Sequence, residues 1–133
     1  EDAEALELVL KNEAPAAYVK RVTALKLDAA VARLVRRKLP PAPVLCSDTT
    51  VAMGRTIYGK PENAQDAERM LSELAGRTHR VLTAIAVQQG AQRFQAVSTS
   101  RVSFEPVTAE KINPYVAAGV YDNVTLKPFK KVF

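Results

Sequence analysis

Two charged side chains twelve positions apart, Asp48 and Lys60, could do phosphate chemistry. Asp48 lies in Ser47-Asp48-Thr49, directly after the apolar run Val44-Leu45-Cys46. A run of this kind reads as a strand buried on both faces, here the central strand of a sheet over residues 44–48. Polar residues at its carboxyl end would fall where open α/β sheets bind ligands. Lys60 lies in Gly59-Lys60-Pro61, reached through a Met53-Gly54-Arg55 turn and a short strand at 56–58. Glycine permits close backbone approach, lysine brings a flexible positive charge, and proline fixes the exit. A carboxylate and an ammonium on neighbouring strands suit a phosphate and its metal ion. They also suit a strand-end turn cap and a surface lysine, and spacing alone favours that plainer reading.

The elements around these residues follow from patterning. Residues 14–38 read as a long helix, with Pro15 in the first turn and Glu13 at the positive end of the dipole. Tyr18, Val22, Leu25, Ala29 and Ala32 trace an apolar face, with Lys26 beside it. Arg33, Arg36, Arg37 and Lys38 crowd the last turn, where the dipole favours cations, and Pro40, Pro41 and Pro43 lead out into the strand. Asn63 caps a short helix over residues 65–74, its apolar side Ala67, Met70, Leu71 and Leu74, closed by Gly76. Residues 78–88 alternate as a strand with Val81, Thr83, Ile85 and Val87 on one side and His79 at its edge. Gln89-Gly90 turns the chain into a second long strand over 93–105. A last helix spans 108–118, where Pro114 should kink or shorten it, and Gly119 closes it. No repeat, low-complexity tract or dividing linker interrupts the chain, so one α/β domain over 1–133 is expected.

Three stretches taken together resemble the Maf family of nucleoside triphosphate pyrophosphatases. Ser47-Asp48-Thr49, Gly59-Lys60-Pro61 and Leu74-Ala75-Gly76-Arg77-Thr78-His79 match, in order and spacing, the family's Ala-Asp-Thr strand end, its Gly-Lys-Pro, and its Leu-Ser-Gly-Arg-x-His. The resemblance covers residues 7–115 and implies a Maf or ITPase-like fold, a curved mixed sheet flanked by helices. It implies hydrolysis of nucleoside triphosphates to monophosphate and pyrophosphate, with a divalent metal, Mg²⁺ or Mn²⁺. By it, Asp48 would orient or deprotonate the attacking water or hold the metal, and Glu7 would assist at the metal. Glu4 is an alternative register for Glu7. Lys26 and Lys60 would stabilise the phosphates. Thr49, where a related group carries Gln, implies pyrimidine substrates such as dTTP and UTP, whereas Ser47 resembles the group that prefers a methylated guanine nucleotide. Two family elements find no counterpart: an amino-terminal Ser-x-Ser-Pro-Arg-Arg loop, and the segment after Gly119, where residues 120–133 do not align. The chain by itself is therefore expected to be incomplete and a poor catalyst.

Composition narrows the classes. The 133 residues are 47% hydrophobic, enough for one cored domain. No apolar run approaches the ~20 residues of a membrane span, and no signal-peptide pattern is present. A single cysteine, Cys46, cannot form an internal disulfide and suits a reducing cytoplasm. A single histidine cannot build a metal–histidine cluster. The net charge of +5 favours anionic partners, while 6% aromatics and no Trp supply few base-stacking platforms. The charge does not choose between nucleotide, nucleic acid and membrane; the resemblance implies a nucleotide partner, with nucleic acid and membrane not expected and a homodimer compatible. The rival classes are a basic nucleic-acid-binding module using residues 33–38 with Lys127, Lys130 and Lys131, and an inactive Maf relative acting as a structural partner in cell division.

Overall fold

The computed structural model describes residues 8–117. Three helices, α1 (Pro15–Arg36), α2 (Ala64–Leu74) and α3 (Ala109–Ala117), accompany four strands, β1 (Val44–Met53), β2 (Thr56–Tyr58), β3 (Thr78–Gln89) and β4 (Gln92–Ser103). The strands form one sheet of order β2-β1-β3-β4, so the architecture is α/β with β1 in an inner position, as expected. The chain groups into two compact units, Glu1–Thr49 with Leu82–Thr99 and Thr50–Val81 with Ser100–Phe133. Their boundaries fall inside β1, β3 and β4.

In the first unit α1 begins at Pro15, whose missing N–H matters least in a first turn. Glu13, just before the helix, accepts the Leu10 N–H at 3.1 Å and pairs with Arg21 at 2.7 Å. The Arg21 guanidinium holds the Glu13 carboxyl below its usual range, more than burial raises it. The helix ends two residues before Lys38, which adopts a left-handed φ of 53°. Its buried stripe is Tyr18, Val19, Val22, Thr23 and Leu27 rather than the expected line through Leu25, Ala29 and Ala32. Both lines satisfy three-to-four spacing. Thr23 decides between them, because its hydroxyl donates to the Val19 carbonyl at 2.7 Å and so tolerates burial. Lys26 therefore continues the buried stripe one turn beyond Val22 and Thr23.

The strand thought to end at residues 47–49 does not end there. β1 continues to Met53, driven by the β-branched Thr49, Thr50 and Val51, and its buried part is Thr50, Val51 and Ala52. Leu45 is 64% exposed, so the opening of β1 is not buried on both faces. There the half-buried Val44, Cys46 and Asp48 alternate with exposed Leu45 and Ser47, the pattern of a strand covered on one face. In β3 the buried set of this unit is Leu82, Ala84 and Ala86, while Ile85, on the alternate side, is 43% exposed. Small alanines permit close packing there, which a count of bulky residues does not register.

The second unit is built on a hairpin and two helices. Gly54, at φ 61°, opens the two-residue turn between β1 and β2, as a type II′ turn requires, and Val51, Ala52 and Met53 pair antiparallel with Tyr58, Ile57 and Thr56. Asn63 caps α2 by accepting the Asp66 N–H at 2.8 Å; Met70, Leu71 and Leu74 of the expected apolar side pack with Val51, Tyr58 and Val81, and Ala67 packs with Ile112 and Val116. Gly76, at φ 69°, follows the helix and donates its N–H to Glu105. α3 runs through Pro114, whose exposed side, with Glu110 one turn back, leaves the freed carbonyl to water; Ile112 and Val116 anchor the other side. Gly119 lies outside the described residues.

His79 is not an edge residue: it is 1% exposed, its ring edge-on to Phe104 at 4.7 Å. Burial pushes its pKa below the usual 6.5. Its neutral form thus contributes stability that is complete above pH 6.5 and is lost as pH falls below that value. Melting temperature should fall between pH 7.5 and 5.5, at most about 1.4 kcal/mol per pH unit from this group. A His79→Leu variant should lack that slope; equal slopes for both proteins would remove His79 as its source.

Candidate active site

The described part of the first unit holds three carboxylates, and their partners differ. Glu13 is gripped by Arg21 through both oxygens at 2.7 and 2.9 Å, a fork geometry that fixes a structural pair. Asp28 meets Arg93 at 2.6 Å but is 57% exposed, where an ion pair contributes little. Asp48 accepts from Lys26 Nζ at 3.1 Å, with only 17% of its side chain and 24% of the lysine's accessible.

This third pair follows from two local periodicities. Lys26 lies on the stripe that α1 buries, and Asp48 lies on the half-buried side of β1. The strand holds the carboxylate without loop reorganisation, while the lysine is a compact point charge with three rotatable donors. Such an ammonium can hold a carboxylate and still turn toward an incoming anion. An arginine fork could not do so as freely.

Thr49, the next residue, points to the opposite face of the sheet by strand alternation. Its Oγ1 lies 2.9 Å from Thr83 Oγ1, both part-buried. No motif singled out Thr83; a cross-strand hydroxyl partner is set by register, which periodicity does not reveal. On its other side β1 pairs with β2, among the described residues, only at Val51, Ala52 and Met53.

Lys60 is exposed beyond β2 in the second unit, and Glu7 lies outside the described residues. Among the sequence-derived candidates the fold therefore brings together Lys26 and Asp48, with Thr49 adjacent along β1. Among the described residues no three His, Cys, Asp or Glu side chains cluster to hold a metal ion, and no helix is long and apolar enough to cross a membrane.

The sequence profile described as Maf-like protein matches residues 1–126. The chain belongs to the Maf family. Among curated Maf relatives, the dTTP/UTP pyrophosphatase of Polaromonas sp. is 66% identical over 119 residues, 90% of this chain and 59% of that protein. Those of Albidiferax ferrireducens and Cupriavidus metallidurans are 64% and 56% identical, each match covering 90% of this chain and 60% of the relative. The chain thus spans about three-fifths of the length of the Maf relatives it matches.

Proposed function

We propose that the whole protein hydrolyses pyrimidine nucleoside triphosphates, dTTP and UTP above others, to monophosphate and pyrophosphate. The observation that carries this reading is the half-buried Lys26–Asp48 pair at 3.1 Å in a Maf chain. Water attacks the α-phosphorus, the bond to the β-phosphate oxygen breaks, and pyrophosphate leaves. Asp48 orients that water or accepts its proton. Lys26 turns from Asp48 toward the phosphate oxygens and stabilises the charge that shifts onto them. The nucleotide lies along β1, phosphates toward Asp48 and base toward Thr49.

A divalent ion of the Mg²⁺ or Mn²⁺ class fits this donor chemistry, since such ions commonly take one or two carboxylates and complete their shell with phosphate oxygens and water. Asp48 is the described carboxylate available to it, and Glu7 is the second candidate. When bound, the ion would neutralise phosphate charge. A cytoplasmic setting suits a nucleotide substrate and the free Cys46, and a homodimer is compatible.

Pyrophosphate release from dTTP, UTP, dGTP and a methylated guanine triphosphate tests the reading on the whole protein. Fastest turnover of the methylated guanine nucleotide would overturn the pyrimidine assignment, and release from none would overturn the enzyme.

A further inference from the structure

We infer that Thr83 is a positioning residue for substrate selection: its hydroxyl sets the orientation of the Thr49 hydroxyl that meets the base. The inference rests on the proposal that Thr49 faces the base, and adds to it a residue that no motif pointed to.

The two oxygens are 2.9 Å apart, within hydrogen-bonding range for a pair of hydroxyls. Both side chains are β-branched, and both stand on inner strands of the sheet, β1 and β3. Neither therefore drifts easily, and the bond between them selects one rotamer of Thr49 from the few its backbone permits.

The bond also governs what Thr49 can offer a ligand. The two hydroxyls carry two protons, and the bond between them uses one. When Thr83 donates, Thr49 keeps its proton and can donate to a base carbonyl. When Thr49 donates, it offers lone pairs that can accept from a ring N–H. Thymine and uracil present a carbonyl beside a ring N–H, so an aimed hydroxyl of either polarity finds a partner on them. An unaimed one must be ordered at the moment of binding, which weakens affinity.

A plain alternative exists, because cross-strand threonine pairs also stabilise sheets. That role predicts a lower melting temperature with unchanged selectivity, which separates the two. The experiment compares the whole protein with Thr83→Val, Thr83→Ser and Thr49→Val. Thr83→Val should raise the KM for dTTP and UTP about three- to tenfold, the range of one lost net hydrogen bond, with a smaller change in kcat. The KM for dGTP should change less than twofold. Thr83→Ser, which restores the hydroxyl, should return all values to within twofold of normal.

Side-chain couplings of Thr49 measured by NMR read the positioning without turnover. A single Thr49 rotamer in the unaltered protein and in Thr83→Ser, averaged in Thr83→Val, is the expected result. A single rotamer retained in Thr83→Val would overturn the inference. So would Thr49→Val raising the pyrimidine KM while Thr83→Val does not, and in that case the Thr49 reading stands. If Thr49→Val leaves the KM for dTTP unchanged, the underlying reading has failed and the selective role of Thr83 goes with it.

Discussion

Asp48→Asn in the whole protein should reduce pyrophosphate release from dTTP by about 10²–10⁴-fold while leaving the fold nearly unchanged. The carboxylate stands on an inner strand with 17% of its side chain accessible, so a rigid element aims it. Asn keeps the shape and can still accept from Lys26, but it has neither the charge nor the basicity that proton transfer requires. The part-buried ion pair becomes an ordinary hydrogen bond, and a stability change of about 1 kcal/mol or less follows. Melting temperature and initial rate should be measured on one sample across a Mn²⁺ titration. Partial rescue by excess Mn²⁺ would assign Asp48 mainly to metal binding, and no rescue would assign it to the base. Near-normal turnover at every metal concentration would remove Asp48 from the mechanism.

Lys26→Met is expected to lower kcat/KM by about 10²–10³-fold, the effect of losing one preorganised donor to developing charge. Met matches the length and packs on the same stripe of α1, so Val22, Thr23 and Leu27 should stay buried. The variant also leaves Asp48 without the ammonium at 3.1 Å. Lys26→Arg should recover only part of the loss, because a planar fork cannot pivot between carboxylate and phosphate as an ammonium does. A Lys26→Met enzyme within threefold of the unaltered rate would show that the lysine only packs there.

The legible parts of this chain were those written in short, ordered motifs and in caps. Asn63, the Gly54 turn, the apolar side of α2 and the α/β class all stand where their residues imply. The resemblance named Lys26 and Asp48 separately, and the fold places them 3.1 Å apart. Other features were decided by choices that periodicity leaves open. Two lines on α1 fit the same spacing, and a single threonine with a local acceptor tipped the balance toward Val19 and Leu27. β1 ran past its polar stretch because β-branched residues sustain a strand whatever their polarity. His79 gives no cue for burial, since the Phe104 against which it packs lies on a separate part of the chain. Thr83 depends on register between β1 and β3, which side-chain type alone does not encode.

The sequence separations within the site bear on how it forms during folding. Lys26 and Asp48 are 22 residues apart, and Thr49 and Thr83 are 34 apart. Loop-closure entropy grows only logarithmically, so the second contact is harder to close by about 0.4 kcal/mol, roughly a factor of two in probability. The two contacts therefore carry closure costs that differ little, and both lie in the unit that buries Val19, Val22, Leu27 and Leu82.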